Sequence, residues 1–203
     1  MEKTYADLEK WIKASEVDNG PFESWDYSIP SKDFVQKYFA PYMELTYCTT
    51  IRDAKCFAGD QGQGYNMWKK SNGEFESGGA WLVYAPRYIM SDGRYFALYN
   101  RYSYAVPGTF GSEWKYVNFI IDVDGARGES ILGKDVYAFT LFNYKKGQID
   151  HKGLKIGTIY TGNGDYRENN EKIQSTCVSS GYSCGLLIQR NGWKVPSNYP
   201  IKI

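Results

Sequence analysis

The sequence predicts an α+β domain, with N-terminal helices packed on an antiparallel β-sheet and disulfides stapling its loops. Two helical patterns occupy roughly the first 45 residues. Alternating aromatic segments broken by Gly-containing turns follow, and the cysteines fall into two local pairs. Helices followed by a run of strands is the order expected when helices cover one face of a meander.

The first helix is expected in "TYADLEKWIKA", where Thr4 and Asp7 have capping-box spacing and Tyr5, Leu8 and Ile12 share a face. It stops at "DNGP". A second is predicted in "SKDFVQKYFAPYMEL", with Ser31 as N-cap after Pro30 and Asp33 in the positive first turn. Pro41 is expected to kink or end it near Ala40. Next, "GGAWLVYAPRYIMSDGRYFALYNRYSYAV" reads as a hairpin around Ser91-Asp92-Gly93. "WKYVNFIID" supplies a third strand and "VYAFTLFNY" a fourth, which turns at Lys145-Lys146-Gly147 into "QIDHKGL". Residues 161–176 are polar and read as a surface loop. "SCGLLIQRNGW" predicts a short helix closed by Asn191-Gly192, and "WKVPSNYPIKI" an irregular tail, because its prolines cannot donate to a ladder. The expected organisation is one domain over 1–203: 1–45 mainly helical, 46–160 antiparallel sheet, and 161–203 loop, short helix and tail.

At 203 residues with 42% hydrophobic and 23% charged residues, the chain can bury a real core. A formal charge of +1 leaves no footprint for a phosphate backbone, so nucleic acid is not an expected partner. Nineteen Tyr and 21 Gly fit short strands joined by tight turns, with rings half buried and their hydroxyls in water. The one histidine, His151, sits in a turn-like context without a nucleophile motif, which argues against His-based catalysis.

Cys48, Cys56, Cys177 and Cys184 lack the two-residue gap of a zinc ribbon, and disulfides are expected instead. Three connectivities exist. Local pairing, 48 with 56 and 177 with 184, is favoured because each closes a small loop, and it implies an oxidising compartment. No signal peptide and no apolar run of membrane length is present. The expectation is therefore that Met1 is an expression start and that a natural export or anchor segment was removed.

The most informative stretch is "NFIIDVDGARGESILGKDVYAF", in which a strand enters Asp-x-Asp-Gly and returns through Gly-Lys-Asp. Counted as an EF-hand from Asp122 it fails, since Gly133 stands where a bidentate Glu is required. Asp122, Asp124 and Asp135 remain candidate calcium ligands, because two carboxylates at i and i+2 with a third nearby and Gly-freed carbonyls can supply hard oxygens. The competing reading is two plain turns, with Asp accepting from backbone amides and Gly supplying positive φ. A glycosidase-like use of Asp122 and Asp124 lacks the apolar wall that raises a carboxyl pKa, so no enzyme is expected. "GDQGQGY", residues 59–65, lacks the rest of a phosphate loop. The aromatic stretches "RYFALYNRYSY" and "WLVYAPRYIM" allow a second function class, a secreted carbohydrate-binding or adhesin module using exposed Tyr and Trp.

Taken together, "FVQKYFAPYMEL" followed by a cysteine, "MSDGRYFALY", "IIDVDGARGESILGKDVYAF", "GQIDHKGL" and "CGLLIQRNGWKVPSNYP" resemble the soluble part of type IV pilin-like proteins, the pilins and pseudopilins. The resemblance runs from about Phe34 to Pro200. It implies a four-stranded antiparallel sheet over a long helix. It further implies a hydrophobic N-terminal helix, missing here, that anchors the subunit in the inner membrane before packing into a filament with other pilin-like subunits. The expected function is that of a structural subunit of a type IV pilus or type II secretion-like filament, acting by assembly and contact at the cell surface, in the periplasm or outside the cell. Some pseudopilins carry a calcium-dependent loop of similar Asp and Gly richness, which lends support to the calcium reading.

Overall fold

A computed structural model describes residues 1–48, 68–74, 85–103, 114–144, 152–157 and 169–202. The α+β expectation holds. Helix α1 spans Glu2–Asn19 and α2 spans Ser31–Tyr38; six strands follow, and α3 (Asn170–Ser180) and α4 (Cys184–Arg190) close the chain. The strands are β1 (Leu45–Tyr47), β2 (Arg87–Met90), β3 (Tyr95–Ser103), β4 (Trp114–Asp122), β5 (Val136–Tyr144) and β6 (Lys152–Ile156). They pair antiparallel in chain order as one six-stranded sheet, larger than the four strands the resemblance implies. The addition comes from β1 and β6, segments too short to alternate visibly.

Register is set by the three nine-residue central strands, running from Tyr95↔Asp122 to Ser103↔Trp114 and from Asp122↔Val136 to Trp114↔Tyr144. Alternation sorts Val117, Phe119, Ile121, Tyr137, Phe139 and Leu141 onto one face. Leu8 and Ile12 of α1 and Phe34, Val35 and Phe39 around α2 cover that face. The core is aromatic: the Phe119 ring lies 5.4 Å from Phe39 and 6.1 Å from Phe96, and each such ring contributes about 1.5–3 kcal/mol on burial. The other face carries Tyr95, Ala97, Ile120, Val136 and Ala138 under Trp68 and Leu132. Burial on both faces explains why many tyrosines, expected half exposed, are enclosed: Tyr88, Tyr95 and Tyr137 are at most 5% exposed.

Three local expectations are corrected. Met1, not Thr4, is the N-cap of α1; Thr4 is buried and its hydroxyl accepts from Arg94. Pro30 caps α2, and Ser31 is its first helical residue with no side-chain cap. The polar stretch expected as loop to residue 176 turns helical at Asn170, because Asn169 is an effective N-cap whose side chain accepts from the Glu171 and Lys172 amides. The short helix before Asn191-Gly192 and the irregular tail are as expected.

The Cys177–Cys184 disulfide forms as local pairing predicts. Cys48 is also disulfide-bonded, no described cysteine is free, and Cys56 lies outside the described residues. So do His151, Lys145-Lys146-Gly147 and the 59–65 glycine-rich stretch. No helix among the described residues is long and apolar enough to cross a membrane.

Candidate functional site

Two carboxylate-bearing turns meet at the end of the sheet where β2 turns into β3 and β4 leaves for β5. The β4 alternation that sends Ile121 toward the helices sends Asp122 to the opposite face, where it is fully buried. Its Oδ1 accepts the amides of Gly125 at 2.9 Å and Asp124 at 3.2 Å, and its Oδ2 receives the Ser130 hydroxyl at 2.5 Å. Asp135 sits at the far end of the same connection, also buried, and its Oδ1 accepts the Ile131 amide at 2.5 Å. The two acids thus clamp opposite ends of the 123–135 corner: both oxygens of Asp122 and Oδ1 of Asp135 accept from backbone or hydroxyl donors that the turn would otherwise leave unmet.

Burial pushes Asp122 up to about 7; the Ser130 hydroxyl and Gly125 amide work downward and the Asp124 carboxyl upward. Asp135 is raised for the same primary reason, against the Ile131 amide. No described residue forms a salt bridge with either acid. Among the described residues, no group of three or more His, Cys, Asp or Glu side chains is placed to hold a metal ion. Asp122 is 0% exposed, so its carboxyl has no surface through which to meet a substrate in this conformation. The hydrogen bonds that Asp122 and Asp135 make among the described residues are ones that close turns.

The corner anchors its neighbours. The Lys69 amide donates to Ser130 O and the Leu132 amide donates to Lys69 O. Gly125, at φ 63°, presses its backbone against the first turn: a Cβ there would lie 2.0 Å from Gly93 O.

That first turn handles its acids differently. Arg94, 7% exposed, grips Asp92 through Nε (2.9 Å) and Nη2 (2.7 Å), donates Nη2 to Asp7 at 2.6 Å and Nη1 to Thr4 Oγ1 at 2.9 Å, and stands 5.9 Å over the Trp11 ring. Burial works upward on Asp7, but hydrogen bonds from Arg94 and Lys3 outweigh it and hold the carboxyl below the usual range. Asp92 is lowered chiefly by its bond from Arg94. This guanidinium clamp, which fastens α1 to the sheet, carries no signal in the sequence. Asp7 and Arg94 stand 87 positions apart.

In the two aromatic stretches the described rings are largely core, while Trp81, Tyr84 and Tyr104 lie outside the described residues. Tyr88, Tyr95 and Phe96 are buried, Tyr99 is half-buried, and among the described residues Tyr47, at 39% exposed, is the aromatic ring most open to solvent.

A family model described as a family of unknown function (DUF6613) matches residues 1–203, and the chain belongs to that family. No curated protein and no solved structure matches it.

Proposed function

From membership of a family without an assigned activity, we propose that this domain is a structural headpiece of the pilin-like kind, working by assembly and contact. The observation that carries the reading is the placement of α1 along an antiparallel meander whose C-terminal segment is pinned by a disulfide. A helix ahead of an antiparallel sheet is the part of the resemblance's implied architecture that supports this reading; the sheet has six strands where the resemblance implies four. Consistent with the reading, Asp122 and Asp135 accept from the turn's own donors, and the corner they hold hydrogen-bonds the Lys69 segment and packs against Gly181 at the end of α3. The carbohydrate-binding alternative loses support because the described rings of its candidate rows pack inward.

In this role cohesion comes from an apolar helix preceding α1, since burying a long apolar face contributes roughly 25 cal/mol per Å². The present domain sets shape and lateral contacts outside the membrane. The test is to read the coding sequence upstream of Glu2 and to probe the native producer with an antibody against this domain. A leader followed by about 20 apolar residues, with signal in a high-mass fraction sheared from cells, is the expected result. Monomeric antigen in the culture fluid, released by an ordinary signal peptide, overturns it.

A further inference from the structure

The Cys177–Cys184 bridge and the C-terminal tail share one wall, the turn at Ile131–Lys134. Gly133 sits there at φ 87°, and the place a Cβ would take is filled from two sides, by Ile201 Cδ1 at 2.5 Å and Cys184 Sγ at 2.6 Å. The Tyr199 hydroxyl donates to the carbonyl of the same Gly133, while the neighbouring Tyr137 hydroxyl donates to Lys134 O at 2.7 Å. On the other side Gly181, the left-handed cap of α3 at φ 86°, leaves 2.4 Å between its own missing Cβ and Leu132 O. The tail is also fixed at its start. Trp193 holds the left-handed conformation at φ 64°, donates its amide to Ile188 O at 2.9 Å, and sets its ring 5.5 Å from Tyr5 of α1.

We propose that bridge and tail form a single latch: docking of residues 193–201 over Gly133 shields the disulfide from reduction, and the intact disulfide in turn holds the tail down. Both cysteines are 0% exposed. A reducing thiolate must reach one sulfur in line with the S–S bond, and the Gly133 turn that packs on Cys184 Sγ is also the turn on which Ile201 and Tyr199 of the tail are seated. Reduction by a dithiol proceeds in two displacements. The first thiolate bonds to one protein sulfur and expels the other as thiolate. The second reagent thiol then closes the reagent's own disulfide, leaving two protein thiols and a reagent oxidised by two electrons. In this latch the tail lifts in a fast, reversible opening before a thiolate enters, so the reduction rate reads how often the tail lifts, and loss of the bridge raises that same opening. The latch does not rest on the pilin-like reading and would hold for any role of the domain.

The whole chain serves for the test, with dithiothreitol as the probe and alkylation followed by mass mapping of residues 177 and 184 as the readout. Tyr199→Phe deletes only the hydroxyl that meets Gly133, and Ile201→Ala opens the wall beside Cys184. Each should speed reduction of this bridge at least about fivefold, the lower end of typical coupling between sites. Conversely, the Cys177→Ser/Cys184→Ser double variant should exchange the Trp193 and Tyr199 amide hydrogens faster by a similar factor, while β4 and β5 amides keep their protection. Unchanged reduction rates in both tail variants overturn the latch. So does faster exchange spread evenly over the sheet, which would mark a general loss of stability.

Discussion

The Ser91–Arg94 turn and the 122–135 corner lie against each other at one end of the sheet; the first joins its own Asp92 to Asp7 of α1, the second buries its own Asp122 and Asp135, and they manage negative charge in opposite ways. Asp7 and Asp92 face the Arg94 guanidinium and are held in the charged form. Asp122 and Asp135 are buried among backbone amides and a hydroxyl, and both are pushed toward the neutral form. A planar cation with five donors can serve several acceptors at once, so the clamp joins distant elements. Backbone amides serve one acceptor each and only within reach of their own turn, so the corner shapes a connection. The lesson is that an aspartate's role here follows from its donors and not from its residue type.

Breaking the contact between the two regions should have the largest effect. Gly125→Ala places a methyl 2.0 Å from Gly93 O at a positive φ, and should cost about 4 kcal/mol in urea unfolding, combining overpacking with left-handed strain. Removing the cation from the clamp comes next. Arg94→Ala leaves Asp7, Asp92 and Thr4 without their shared donor and should cost about 3 kcal/mol at neutral pH, with Arg94→Lys recovering only part because a point charge cannot reproduce the fork.

The smallest effect is the one that separates the regions by sign. Asp122 binds its proton more tightly folded (about 7) than unfolded (3.8), so its contribution is greatest in acid and declines as pH rises through that window. Asp7 and Asp92 bind theirs less tightly folded, so theirs is present above the ordinary carboxyl range and lost as pH falls through their lowered values. Relative to Asp122→Asn, which keeps an acceptor for the Gly125 and Asp124 amides, the wild type should lose about 2 kcal/mol between about pH 5 and about pH 7. Stability curves of equal slope for the two proteins would show that Asp122 is ionised throughout and that its three donors outweigh its burial.

Much of this architecture is legible in local sequence. Asn191-Gly192 ends α4 and Asp92-Gly93 turns β2 into β3 where Gly relieves the backbone, and such signals act within a few residues. The acids at 122, 124 and 135 are equally legible as a turn-forming cluster. Their surroundings are not, because Ser130 and Asp122 meet only when the corner closes, eight positions apart. Asn169 was obscured by the polarity of its flanks, which hid a helix behind loop composition. Trp193 in the left-handed region is opposite to what a bulky side chain prefers, and its ring packing beside Tyr5 accompanies that conformation.

By itself the order of residues determined the α+β class, the antiparallel succession of central strands and the Ser91-Asp92-Gly93 turn, and it favoured the Cys177–Cys184 pairing among three connectivities because that bridge closes a short loop. Only the tertiary structure decided which face each strand shows to the helices, that Arg94 gathers acids from α1 and the β2–β3 turn, and that Asp122 is sealed from water. The physical reason is that burial and charge pairing depend on neighbours remote in the chain, and those neighbours exist only once the sheet has closed.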